Sequence, residues 1–92
     1  MQRLIQVHLT VHGEIHGSGM RSLLQREATR VGAVGWARNI EGGGLEAVIQ
    51  AGESTVASLV RWCERGPLSA SVASVEVTDQ AREAFFGFDV RH

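Results

Sequence analysis

The sequence predicts an α+β sandwich, an antiparallel sheet carrying two helices on one face. Three observations lead there. Runs of alternating apolar and polar residues mark strands, and two stretches with apolar residues three and four apart mark helices. The elements follow one another as strand, helix, strand, strand, helix, strand, with a short final strand. No linker, repeat, low-complexity tract or block of like charge interrupts them, so residues 1–92 are expected to form a single domain.

The first strand is the clearest: Ile5, Val7, Leu9 and Val11 alternate with Gln6, His8 and Thr10, the period of a strand with one buried face. Gly13-Glu14-Ile15-His16-Gly17-Ser18-Gly19 follows, and its three glycines permit a tight loop that can approach a ligand through its main chain. Met20, Leu23, Leu24, Ala28 and Val31 then keep helical spacing, which predicts a helix from about Ser18 to Val31 with Gly32 as its C-terminal cap. Two extended runs, about Ala33–Asn39 and Leu45–Ala51, flank Glu41-Gly42-Gly43-Gly44 and read as a hairpin. Val56, Leu59, Val60 and Cys63 define the second helix, with Ser54 or Thr55 as N-cap and Gly66-Pro67 as its stop. Val75 and Val77 mark the next strand, and Phe86, Phe88 and Val90 the last. This is the split βαβ, ferredoxin-like order, which places both helices on one sheet face.

Bulk properties narrow the function. A chain of 92 residues supports one core, so all motifs must share one site or one surface. Nine basic and ten acidic residues give a net charge of -1, too little field to hold a nucleic-acid backbone or an anionic membrane, so any anion must be bound locally. The first residues alternate instead of forming a basic and then an apolar leader, and no apolar run nears the roughly 20 residues of a membrane crossing. A cytoplasmic, monomeric protein without nucleic-acid or membrane partners is expected. Cys63 is the only cysteine, which rules out an internal disulfide and a four-cysteine metal site.

The loop before the first helix is the candidate site. Unpaired backbone N–H groups and the positive end of a helix dipole attract an anion, although most such turns are merely tight connections. Arg21 sharpens the question, because a cation in the first helical turn opposes the dipole. It is either a solvated surface arginine or a planar fork that grips two phosphate oxygens beside the loop amides.

Gly13-Glu14-Ile15-His16-Gly17-Ser18-Gly19-Met20-Arg21 resembles the signature of the acylphosphatase family, which reads Gly, any residue, Val, Gln, Gly, Val, any residue, Phe, Arg. Gly32-Ala33-Val34-Gly35-Trp36-Ala37-Arg38-Asn39 resembles the second family motif, in which a Gly-Trp pair leads into an asparagine, and Gly43-Gly44-Leu45-Glu46 resembles the turn beyond it. The likeness runs on through Trp62–Val72 and Val75-Glu76-Val77 to Phe88-Asp89-Val90-Arg91.

The resemblance implies hydrolysis of the carboxyl–phosphate anhydride of a small acyl phosphate, with inorganic phosphate as a product and neither cofactor nor metal required. The phosphate would be held by Ile15, His16, Gly17, Ser18, Gly19 and Met20 together with Arg21. Asn39 would orient the attacking water, since a neutral amide offers an acceptor and donors without repelling the substrate. By itself Asn39 also reads as a strand-end residue satisfying a turn. Three departures bear on the loop: His16 for glutamine, Ser18 for an apolar residue and Met20 for an aromatic one. Ser18 either loosens the cradle or adds a donor to the phosphate. The rival function is a catalytically weakened anion-binding or interaction module on the same fold.

Other candidates have simpler readings. His8, His12 and His16 invite a metal, but no carboxylate or cysteine cluster completes a site, and partly exposed histidines explain them. Cys63 shares the helical spacing of a core face and reads as packing, not as a nucleophile. Trp36 and Trp62 read as packing residues, and with no tyrosine in the chain few aromatics are left for stacking on bases.

Overall fold

The computed structural model describes residues 2–92. Its elements are β1 (Leu4–Glu14), α1 (Met20–Arg30), β2 (Val34–Asn39), β3 (Leu45–Gly52), α2 (Glu53–Arg65), β4 (Ser71–Gln80) and β5 (Phe88–Arg91). The expected order and the two helices are all present. The sheet runs β4-β1-β3-β2-β5, so the hairpin strands β2 and β3 are neighbours and β1 pairs with both β3 and β4.

The expectation of a wholly antiparallel sheet needs one correction, because β5 lies parallel to β2. The cause is the path of the chain. β4 ends beside the start of β1, where Gln80 faces Gln6. From there residues 81–87 cross the helix-free face, with Glu83 N–H donating to Gln6 Oε1 at 2.8 Å and Gln50 Nε2 donating to the Glu83 carbonyl at 2.8 Å. The chain re-enters at the end where β2 begins, Phe88 beside Gly35, and can only run the same way as β2.

Alternation decides which face each strand buries. Val7, Leu9 and Val11 of β1 and Leu45, Ala47, Ile49 and Ala51 of β3 point to the core, together with Ala37 and Phe88. Met20, Leu24 and Ala28 of α1 and Val56, Leu59 and Cys63 of α2 close over them at helical spacing. Leu9, Leu24, Leu45 and Ile49 are each 0% exposed, so the apolar periodicity of the sequence and the core coincide. On the other face Gln6 and Gln50 are buried as well, joined at 3.0 Å beneath the 81–87 crossing.

Several boundaries differ from the expectations. β1 continues to Glu14, since after a bulge between His12 and Gly13 the chain still pairs with Val72 and Ser71. Gly13, at φ 143°, makes this possible: a Cβ there would lie 2.1 Å from the Ser71 carbonyl oxygen. α1 starts at Met20 and ends at Arg30, which leaves Ser18 in the loop and Val31 exposed. Gly32 does turn the chain left-handed just after the helix, its N–H bonded to the Thr29 carbonyl. α2 is not capped by Ser54 or Thr55. Its N-cap is Gly52, and Gln2 Oε1 accepts the Ser54 N–H at 2.9 Å instead. Phe86 lies outside β5 and is fully exposed. Among the described residues no helix is long and apolar enough to cross a membrane.

Candidate active site

The loop of residues 15–19 connects β1 to α1 and is fixed at both ends. Ile15, 1% exposed, drops its side chain into the core, and its N–H donates to the Gly43 carbonyl at 2.9 Å, which ties the loop to the turn between β2 and β3. The His16 ring reaches the same turn, with Nε2 at 3.0 Å from the Gly44 carbonyl. Gly17 and Gly19 have φ of 81° and 77°, and Gly19 is the N-cap of α1 in a left-handed conformation. A Cβ at either would meet nothing within 4 Å, so backbone conformation and not space demands glycine there.

Not every amide of this loop is free. Ile15 N–H is engaged by Gly43, Ser18 N–H donates to the Ile15 carbonyl at 3.1 Å, and Met20 N–H donates to Ser18 Oγ at 3.1 Å. Among the described residues the N–H groups of His16, Gly17, Gly19, Arg21 and Ser22 are left without an acceptor. Of the six consecutive N–H groups from Ile15 to Met20 expected to face an anion, three are therefore free, and the free groups run on two residues further, to Arg21 and Ser22. That extension was invisible in the sequence, where Ser22 carries no motif. The first turn of α1 contains no acidic residue, so no carboxylate competes for these groups. Glu14 sits exposed in β1, opposite Ser71, and does not line the cavity.

Arg21 and Asn39 meet at this loop. A cavity of about 200 Å³ is lined by Ile15, Gly17, Gly19, Met20, Arg21, Ser22 and Asn39. Arg21 is positioned from behind: Nη1 donates to the Arg91 carbonyl in β5 at 3.0 Å. Its Nε is buried with no hydrogen-bond partner, a costly state for a charged donor unless something polar enters the cavity. Asn39 ends β2 opposite Leu45 and lines the same cavity. The Arg91 tether could not be read from the sequence, because it uses a backbone carbonyl from the last strand.

The remaining candidates lie elsewhere. His8 and His12 share the helix-free face of β1 and pair with Glu46 at 2.7 Å and Glu76 at 2.5 Å. Among the described residues no group of three or more histidine, cysteine, aspartate or glutamate side chains is arranged to hold a metal ion. Cys63 is 0% exposed in the core, and burial pushes its thiol up to about 12, with Glu64 adding to the shift. Trp62 is partly buried against the core. Trp36 packs on the helix-free face, with the Arg91 and Arg38 guanidinium groups 4.5 and 5.7 Å from its ring centre.

Comparison with known proteins places this chain in a family. The family model described as Acylphosphatase matches residues 7–90. A protein named acylphosphatase from Anaeromyxobacter sp. (strain Fw109-5) is 42% identical over the whole of both chains. Among solved structures, an acylphosphatase from Coxiella burnetii superposes with a TM-score of 0.92 at 27% identity, covering 96% of this chain and 93% of that one. The acylphosphatase from Bacillus subtilis gives 0.91 at 26% identity, covering 98% and 100%.

Proposed function

This chain belongs to the acylphosphatase family and hydrolyses acyl phosphates, and from that premise we propose that the cavity between the 15–19 loop and Asn39 is where it does so. The phosphate sits among the N–H groups of His16, Gly17, Gly19, Arg21 and Ser22 at the positive end of α1. The Arg21 guanidinium, whose Nε has no other partner, donates to it from the side. Asn39 holds a water in line with the bond to be broken.

The chemistry asks little more. The water oxygen forms a bond to phosphorus as the bond from phosphorus to the carboxyl oxygen breaks. The electron pair leaves with the carboxylate, and both water protons end on the phosphate product, so charge balances across the step. Carboxylate is a good leaving group, so catalysis reduces to positioning and to donors fixed where negative charge is concentrated. Neither a covalent nucleophile nor a metal has a role in this scheme.

The observation that carries the reading is the convergence of Arg21, Asn39 and the free-amide residues Gly17, Gly19 and Ser22 on one cavity, with the buried Arg21 Nε left without a partner. All of these groups come from one chain, so the site is complete in a monomer. The lone, buried Cys63 suits a reducing, cytoplasmic compartment. The test is hydrolysis of benzoyl phosphate in the presence of a chelator: turnover by the wild type and its loss in Arg21→Ala and Asn39→Ala are expected. Undiminished turnover in both variants would remove the site from this cavity.

A further inference from the structure

The family signature has an apolar residue where this chain has Ser18, and the structure gives that serine a definite occupation. Its hydroxyl donates to the Ile15 carbonyl and accepts the Met20 N–H at 3.1 Å. Its own N–H donates to the same Ile15 carbonyl at 3.1 Å, and its carbonyl accepts the Ser69 hydroxyl at 2.7 Å from the turn between α2 and β4. Four hydrogen bonds thus converge on one loop residue, two of them through a side chain that valine does not have.

We infer that Ser18 is a positioning residue of the phosphate cradle, an internal strut that sets the curvature of the 15–19 loop by hydrogen bonds, with Ser69 as its outer tether. The inference rests on the placement of the phosphate in this cavity. Ile15 is immobilised in the core and Met20 is the first buried residue of α1. A hydroxyl bridging the two spans the stretch that carries the His16, Gly17 and Gly19 N–H groups. It thereby holds those groups at a fixed spacing. Both hydrogen-bonding roles of the hydroxyl are filled inside the loop, so Ser18 shapes the site without touching the phosphate, and the Met20 N–H is withdrawn from the set of donors.

A strut of this kind acts on the shape of the cradle in the ground state as much as in the transition state, because Arg21 and Asn39 are positioned from elsewhere. Removing it should weaken the binding of substrate and product together. In Ser18→Ala, with two hydrogen bonds lost, KM for benzoyl phosphate and the competitive inhibition constant of inorganic phosphate are expected to rise together by about tenfold, with kcat within about threefold of wild type. Ser18→Thr keeps the hydroxyl and should recover most of the affinity. Ser69→Ala, which loses one exposed bond, should raise the same two constants by about threefold. Measurements are made well below each variant's thermal midpoint, so that only folded protein is compared.

Unchanged or tighter binding in Ser18→Ala, a threonine variant as weak as the alanine one, or a fall in kcat at constant KM would each overturn the strut. If Ser18→Ala does not fold, Ser69→Ala decides: a joint rise of both constants supports the inference and no rise refutes it. Arg21→Ala run alongside separates the two levels of the argument. Wild-type turnover in that variant would defeat the site itself, whereas its inactivity beside an unaffected Ser18→Ala would defeat the strut alone.

Discussion

Arg21 and Arg91 are joined side chain to backbone: Arg21 Nη1 donates to the Arg91 carbonyl at 3.0 Å, so the last strand of the sheet aims the guanidinium of the first helix. One nitrogen is anchored, and Nε is buried without a partner. Arg21→Ala removes both features and is expected to lower kcat/KM for benzoyl phosphate by about 10²–10³ or more, as loss of a preorganised transition-state donor does. Arg21→Lys should recover little, because an ammonium cannot hold the Arg91 carbonyl and present a second, coplanar donor at once. Steady-state kinetics on the two variants check this.

Asn39 should behave differently from Arg21, since it is assigned to the water and not to the phosphate. Asn39→Ala is expected to lower kcat by about 10²-fold while the inhibition constant of inorganic phosphate changes less than about threefold. Asn39→Asp keeps the shape but sets a negative charge beside the bound dianion, so it should weaken phosphate binding as well as turnover. Equal phosphate affinity in Asn39→Asp and the wild type would count against this placement.

How far the site was legible follows from what kind of contact builds it. Arg21 and Asn39 are side chains inside motifs with local spacing, and the three glycines of the loop announce a main-chain approach. The core positions Leu9, Leu24 and Leu59 are equally plain, because a face repeats with a fixed period. What the sequence hid was made of backbone or of distant pairing. The Arg91 carbonyl, the Ser22 N–H and the Gln2 side chain that caps α2 have no residue-type signature at their positions. The parallel direction of β5 depends on the 81–87 crossing, held by Gln6 and Gln50; both are buried, although Gln6 falls on the polar side of the β1 alternation.

Glu46 predicts a pH dependence of stability. Burial acts to raise its carboxyl, but hydrogen bonds from His8 at 2.7 Å and Arg38 at 2.5 Å outweigh it, and the net effect holds the group below its ordinary value of 4.5. A carboxyl lowered in the folded state adds stability above its unfolded value and loses it as pH falls through the folded one. Acid titration of urea stability should therefore show a shallower decline below about pH 5 in Glu46→Gln than in the wild type, the variant being less stable near neutrality. Parallel curves would mean that the pair contributes nothing.

Gly35 is a purely structural glycine. At φ 139° in β2, it lies so close to β3 that a Cβ would stand 1.9 Å from the Val48 carbonyl oxygen, a backbone atom that cannot rotate away. Gly35→Ala combines backbone strain with a forced separation of the two strands, and a loss of about 2 kcal/mol or more is expected in chemical denaturation. The substitution adds no group to the cavity, so the folded fraction should retain its KM.

Cys63 offers a probe of the core that leaves the active site alone. It is 0% exposed on the inner face of α2, and its thiol is pushed up to about 12 by burial first and by Glu64 second, so at neutral pH almost none of it is the reactive thiolate. An aromatic disulfide reagent should label the native protein only through unfolding, at a rate that rises with urea in step with the loss of structure. Phosphate, by favouring the folded state, should slow labelling in the wild type and do so less in Arg21→Ala. Prompt, stoichiometric labelling of the native protein without loss of activity would show that α2 opens locally and that the core is less closed than its packing implies.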